Sequence, residues 1–308
     1  MPSPIALFVY NRPKHTRLTI EALSKNALAR ESDLIIFSDG PRNEIDSSKV
    51  QQVRDYIRGV GFFKSVKVVE SSVNKGLAKS IIAGVTGVLA DHDSIVVLED
   101  DMVTSPYFLS FMNQALNMYW SEENVISIHA YMYPVKGKLP DSFFVRGADC
   151  WGWATWKRGW DLFESDGSKL LEQITAQHLA EYFDYNNSYP FTQMLRDQIN
   201  GKNDSWAIRW QASAFLKNKL TLYPGKSYIR NIGFDDTGTH SGITNVFDTK
   251  VQTEQVELQK VEVRERLEVR SWFEQYFNSI KPTLMRRINR NLLSLVVKMK
   301  AMMRINLR

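Results

Sequence analysis

Three consecutive carboxylates, Glu99, Asp100 and Asp101, end the apolar run Ile95-Val96-Val97-Leu98. Branched apolar residues in a row favour burial, whereas adjacent acids repel one another. A divalent cation among them relieves that repulsion. Hard oxygen ligands suit Mg2+ or Mn2+, which take one or two protein carboxylates and complete their shell with water and phosphate oxygens. The partner expected for such a cation is a diphosphate. Acids that cap the next helix, or that sit solvated in a turn, are the competing reading.

The elements that must position these acids alternate in type. Residues 5–10 (IALFVY), 34–39 (LIIFSD), 66–71 (VKVVES) and the run ending at Glu99 read as strands, apolar on both faces. Helical patterns separate them: one reaches Arg30, one carries Val50, Val53, Ile57 and Val60, and one carries Leu77, Ile81, Val85 and Val88. Ser105-Pro106 reads as a cap and first-turn proline for a helix bearing Phe108, Phe111, Ala115 and Tyr119. Alternation of this kind predicts right-handed βαβ units and a mostly parallel sheet covered on both sides. Each strand ends in polar residues: Tyr10-Asn11-Arg12, Ser38-Asp39-Gly40, Ser71 through Asn74-Lys75-Gly76, and the acidic trio. In an open parallel sheet these ends share one edge, where ligands bind.

After Val125 the pattern changes. Two strand-like runs, VISIHAY and SFFVRGA, flank a loop, and helical stretches follow near 168–183 and 204–217. Trp151, Trp153, Trp156 and Trp160 crowd together. Clustered aromatics usually form core, but Gly152, Asp149 and Arg146 suggest a cavity. Trp151 or Trp153 is therefore expected to contact a sugar, with Trp156 and Trp160 in the core. His240, in TGTHSG, suits a loop whose imidazole touches phosphate or metal, although an isolated histidine also serves structural roles.

These segments together resemble the GT-A glycosyltransferases. VVLEDDM is similar to their acidic metal-binding motif, and its triple form resembles that of the N-acetylglucosaminyltransferase I family. FVYNRP, FSDG, NKGLAKSI, WGWATW, DSWAIR and GFDDTGTHSG follow in the order of that superfamily's segments, over about residues 3–245. The resemblance implies that Asp101 coordinates the metal, while Glu99 and Asp100 contact ribose and donor sugar. It implies that Asp39 reads uracil and that Arg12 meets the nucleotide or its phosphates. Tyr10, Asn11, Asn74, Lys79 and Trp153 are further candidates for the donor site, and His240 for the metal. Asp204 would be the general base of an inverting transfer. Asp235 and Asp236 are its rivals, and a plain helix cap is the alternative role for Asp204. Asp184 and Asp197 read as surface charges.

Composition bounds the rest. The 308 residues are 44% hydrophobic and 24% charged, an ordinary globular balance. A single cysteine, Cys150, permits no internal disulfide and fits a reducing compartment. The N-terminal apolar run is too short for a signal segment, and no run reaches the roughly 20 residues of a membrane span. The net charge of +5 comes from the end of the chain. Residues 281–308 hold eight of the 39 bases and no acid, leaving 31 against 34 acids elsewhere. That balance argues against a nucleic-acid partner. Leu284, Ile288, Leu292, Leu295, Met299 and Met302 recur at helical spacing, so the tail predicts a basic amphipathic helix on an anionic membrane surface. Docking on the body or in a homodimer is the alternative.

The expectation is an α/β protein of GT-A architecture: 1–124 nucleotide-sugar-binding, 125–250 acceptor-binding and catalytic, 251–308 a helical basic tail. It would transfer sugar from a UDP-sugar, with Mn2+ or Mg2+, to a glycan or lipid-linked acceptor in surface polysaccharide synthesis. It would work in the cytoplasm, peripheral on the inner face of a bacterial membrane. A nucleotidyltransferase acting on sugar phosphates, which would want a glycine-rich loop after the first strand, and a non-catalytic glycan-binding protein are the rivals.

Overall fold

The computed structural model describes residues 1–235 and 244–281. The first half runs β1 (Ile5–Val9), α1 (Pro13–Ser24), β2 (Asp33–Ser38), α2 (Glu44–Arg58), β3 (Ser65–Glu70), α3 (Leu77–Asp91), β4 (Ser94–Glu99), β5 (Met102–Thr104) and α4 (Phe108–Met118). The second runs β6 (Val125–His129), β7 (Ser142–Arg146), β8 (Trp153–Trp156), α5 (Lys157–Trp160), α6 (Gly167–Ala176), α7 (Ala180–Phe183), α8 (Phe191–Ile199), α9 (Trp206–Leu216), β9 (Leu220–Pro224), β10 (Ile229–Asn231) and α10 (Leu267–Ile280).

Eight strands form one sheet in the order β3-β2-β1-β4-β8-β6-β9-β7. The β3-β2-β1-β4 block is parallel, and β8 enters antiparallel to both β4 and β6. This is the expected α/β class, a mostly parallel sheet with helices on both faces. From β1 the chain winds outward through β2 and β3, then crosses back to place β4 on the other side of β1. The carboxyl ends of β1 and β4 therefore face a topological switch point, the crevice where open α/β sheets bind ligands. One core packs α1, α2 and α4 against the sheet, and a second packs α3, α5 and α9 on the opposite face.

Two expectations change. Of the first four strands, only β1 and the centre of β4 are buried on both faces; β2 alternates and β3 is largely exposed. β3 is an edge strand with a single neighbour, so its valines meet solvent on one side. The two halves share one sheet, because β8 hydrogen-bonds directly to β4. A tail does not begin at residue 251. Leu258 N donates to Gln114, Val261 N to Tyr119 Oη and Arg266 N to the carbonyl of Phe144, and α10 buries Val269, Phe273 and Phe277 against β7 and β9. Apolar residues on α10 hold this segment on the body. The basic stretch 282–308 lies outside the described residues. Among the described residues, no helix is long and apolar enough to cross a membrane.

Candidate active site

The loop after β1 turns into α1 at Pro13, whose fixed φ suits a first helical position. That turn sets Arg12 over the end of β4. Its Nη2 donates to Asp100 Oδ1 and, at 2.8 Å, to Asp101 Oδ2. Thr19 of α1 donates to the backbone carbonyl of Asp100 at 2.8 Å. The trio and Arg12 thus form one network across the switch point. Burial, then repulsion from Asp101 and Asp100, pushes the Glu99 carboxyl up to about 8. Burial also raises Asp100, to about 6, against the opposing pull of Arg12. Burial works against the charge on Arg12, but the two aspartates outweigh it and hold the guanidinium ionised.

Asp101 is the member whose surroundings suit a cation. Its Oδ2 meets Arg12 and its backbone carbonyl accepts Ile232 N at 2.9 Å. Oδ1 is buried with no hydrogen-bond partner among the described residues. A buried carboxyl oxygen left without a partner is costly unless something completes it. Among the described residues no group of three His, Cys, Asp or Glu side chains is placed to hold a metal. A Mg2+ or Mn2+ ion satisfied by one or two carboxylates, with phosphate and water, fits this donor set.

The other expected donor residues divide. Tyr10 Oη and Asn11 Nδ2 both grip Asp46, at 2.9 and 2.8 Å, pinning the first turn of α2 to the β1 loop. Asp39 is 8% exposed and its carboxylate is full. It accepts from Gly40 N, Lys75 N, Gly76 N and Asn74 Nδ2 at 2.9–3.2 Å. Asp39 thereby organises the loop from β3 to α3. Gly40 serves the same join: a Cβ there would stand 2.5 Å from the Val73 carbonyl carbon. Asn74 belongs to this clamp, and Lys79 is exposed on the first turn of α3.

Trp153 is a further correction. It is 1% exposed, stacked on Trp206 at 5.3 Å and packed against Trp160 and Trp210. Alternation along β8 turns Trp153 and Thr155 to one face and Ala154 and Trp156 to the other, and α9 covers the first face. Trp156 and Trp160 are core, as expected. Trp151 is half-buried at the mouth of β8, edge-on to Tyr131, Phe234 and Phe247. Asp204 is not a helix cap: Ser205 caps α9 by accepting Ile208 N. The Asp204 side chain is 62% exposed and meets Arg209 Nη2 at 3.1 Å. Of its rivals, Asp235 pairs with His15 Nε2 at 3.1 Å. Asp236 lies outside the described residues, as does His240.

Several contributors carry no motif. Asp46 lies 36 residues from Tyr10, and Ile232 and Gly233 reach Asp101 from beyond β10. Asp149, held by Tyr133 Oη at 2.7 Å and Cys150 N at 2.8 Å, stands at the start of the segment that leads into β8. Only the polarity of Asp149 beside the tryptophans hinted at it.

No protein-family model matches the chain, and no curated protein matches it in sequence. Among solved structures it is similar to TarS of S. aureus, at 17% identity and a TM-score of 0.31 over 47% of this chain. That match spans only 24% of TarS. It is also similar to the mannosyltransferase PcManGT from Pyrobaculum calidifontis, solved in complex with GDP-Man and Mn2+. Here identity is 13% and TM-score 0.34, over 70% of this chain and 76% of that one. A cytidylyltransferase from Leptospira borgpetersenii matches at 11% identity and TM-score 0.31, over 52% and 63% of the two chains. Likeness at this level carries no argument about activity. The chain has an α/β architecture with a mostly parallel sheet, and its functional reading stands on the site itself.

Proposed function

We propose that this chain is a metal-dependent, inverting glycosyltransferase that takes a sugar from a nucleotide diphosphate donor, a UDP-sugar by the resemblance of its motifs. The observation that carries the reading is the buried, unpartnered Oδ1 of Asp101 at the switch point, beside carboxyls that burial and mutual repulsion raise. Asp101 would hold Mn2+ or Mg2+ through Oδ1. When bound, the cation neutralises charge that develops on the departing diphosphate. Glu99 and Asp100 would face the donor's hydroxyls, with Arg12 fixing the direction of Asp100 and Asp101. Asp204 would accept the acceptor hydroxyl's proton as the acceptor oxygen bonds the anomeric carbon and the bond to the diphosphate oxygen breaks. Trp151 would pack on a sugar ring.

The acceptor would be a glycan or a lipid-linked glycan of a surface polysaccharide. The basic stretch 282–308 would bring the enzyme to an anionic membrane from the cytoplasmic side, with a second copy as the alternative partner. Thermal unfolding with a panel of nucleoside diphosphates, with and without Mn2+, tests the reading. One diphosphate should stabilise the protein, and only with metal. A panel of nucleotide sugars should then release that diphosphate when acceptor is supplied. Stabilisation that ignores Mn2+, or that no diphosphate produces, overturns it.

A further inference from the structure

The backbone that leaves β10 runs directly against the metal-binding candidate. Ile232 N donates to the Asp101 carbonyl at 2.9 Å, and Gly233 N donates to Asn231 Oδ1 at 2.8 Å. This turn brings the Cα of Gly233 to face the Asp101 carboxylate. A Cβ at Gly233 would stand 2.2 Å from Asp101 Oδ2, 3.0 Å from its Cγ and 3.1 Å from Asn231 Oδ1. The φ of Gly233 lies outside the left-handed region, so φ does not demand glycine there. Space, not φ, is what requires glycine.

Asp101 has little freedom to yield. Arg12 holds Oδ2 at 2.8 Å, and the same oxygen is the one that a Gly233 Cβ would meet. The oxygen left over is the buried, unpartnered Oδ1. We propose that Gly233 is a positioning residue: by lacking a side chain it lets the chain after β10 lie on Asp101 and fixes the direction in which Oδ1 is presented to a divalent cation. This rests on the metal reading above and goes beyond it by naming what aims the ligand. Groups that orient a ligand from behind shift metal affinity by roughly 10- to 100-fold when changed.

The test is Gly233→Ala, read in two ways. Mn2+ is titrated against thermal unfolding in excess UDP or GDP, and the half-saturating Mn2+ concentration should rise roughly tenfold or more over the unaltered chain. Unfolding without metal is then compared for Gly233→Ala, Asp101→Ala and the double variant. If the added methyl strikes the carboxylate, the midpoint lost through Gly233→Ala should shrink by about half or more once Asp101 is truncated. A Gly233→Ala protein that fails to fold alone but folds as the double variant gives the same answer. An unchanged Mn2+ midpoint overturns the proposal while leaving the metal reading in place. Equal loss in both backgrounds, or failure of both to fold, also overturns it, because the cause would then be the backbone. No Mn2+ response in the unaltered chain overturns the metal reading and this inference together.

Discussion

Arg12 Nη2 and Asp101 Oδ2 meet at 2.8 Å although 89 residues separate them, and the contact bridges the ends of β1 and β4. It is one half of a fork whose other half is Asp100. Among the described residues, Arg12 is the cation that hydrogen-bonds to this acidic trio, and its charge opposes the repulsion among the acids.

Arg12→Ala should therefore be costly. Removing one partner of a buried ion pair leaves uncompensated charge, and the loss is about 3 kcal/mol or more. Urea unfolding in metal-free buffer checks this. Mn2+ with a matching nucleoside diphosphate should restore part of the loss. Arg12→Lys should fall between, since it keeps the charge but places it on a shorter, more strongly hydrated ammonium. A loss under about 0.5 kcal/mol would mean that the trio is well solvated and needs no partner.

Asp39→Ala distinguishes a clamp from a base reader. The carboxylate satisfies three backbone amides and Asn74, so its removal should cost about 2 kcal/mol and loosen the loop into α3. Binding of every nucleoside diphosphate should weaken by a similar factor, because the loop and not a base contact is lost. Thermal shifts with UDP, GDP and CDP read this directly. A selective loss of UDP response would instead assign Asp39 the uracil-reading role.

How much of this was legible follows from which residues act locally. The acidic trio on its apolar strand, Arg12 after β1 and the crossover pattern are short-range signals, and the switch point follows from them. The acids, Arg12 and Asp39 are indeed grouped at the strand ends. What escaped was set by tertiary packing. Trp153 and Trp151 stand two apart in one segment, yet α9 buries the first and the turn before β8 leaves the second half-open. The exposure of β3 depends on its edge position, which no local pattern of valines encodes. Asp39 was identified as a site residue from its place after β2, but its four donors come mostly from residues 74–76. The Gly233 contact depends on a chain returning from beyond β10, and only the fold brings it there.

Acid should destabilise the protein through His129. This side chain is fully buried, and burial lowers it from its ordinary 6.5 to about 4, against the raising pull of Asp149 at 3.6 Å. Tyr223 and Tyr131 cover it, and neither ring nitrogen has a hydrogen-bond partner among the described residues. Between those two values the unfolded chain binds a proton that the folded chain refuses. Stability contributed by neutral His129 is thus complete above 6.5 and is lost as pH falls to about 4. The slope is at most about 1.4 kcal/mol per pH unit. Urea midpoints from pH 7 to 4 should fall more steeply for the unaltered protein than for His129→Phe. Parallel curves would show that His129 is not the residue titrating.

Asp204 is poised for a role that the fold itself does not use. Ser205 caps α9, so Asp204 is spared that duty. Arg209, 9% exposed and anchored by the carbonyls of Ser165 and Ser205, holds one carboxylate oxygen at 3.1 Å, while the side chain as a whole is 62% exposed. A carboxylate fixed at one oxygen and open at the other can take a proton from an incoming hydroxyl. Asp204→Asn should lower turnover by roughly 100- to 10,000-fold, the range for loss of a general base. It should leave the Mn2+-dependent thermal shift with nucleoside diphosphate unchanged, since the donor site is built from other elements. Stability should move by less than about 0.5 kcal/mol, as for other exposed ion pairs, whereas loss of a helix cap would cost about 1 kcal/mol. Turnover within about threefold of the unaltered enzyme would remove Asp204 from the chemistry. Asp235 would then be the next carboxylate to substitute, because its pairing with His15 ties it to α1, the helix that begins beside Arg12.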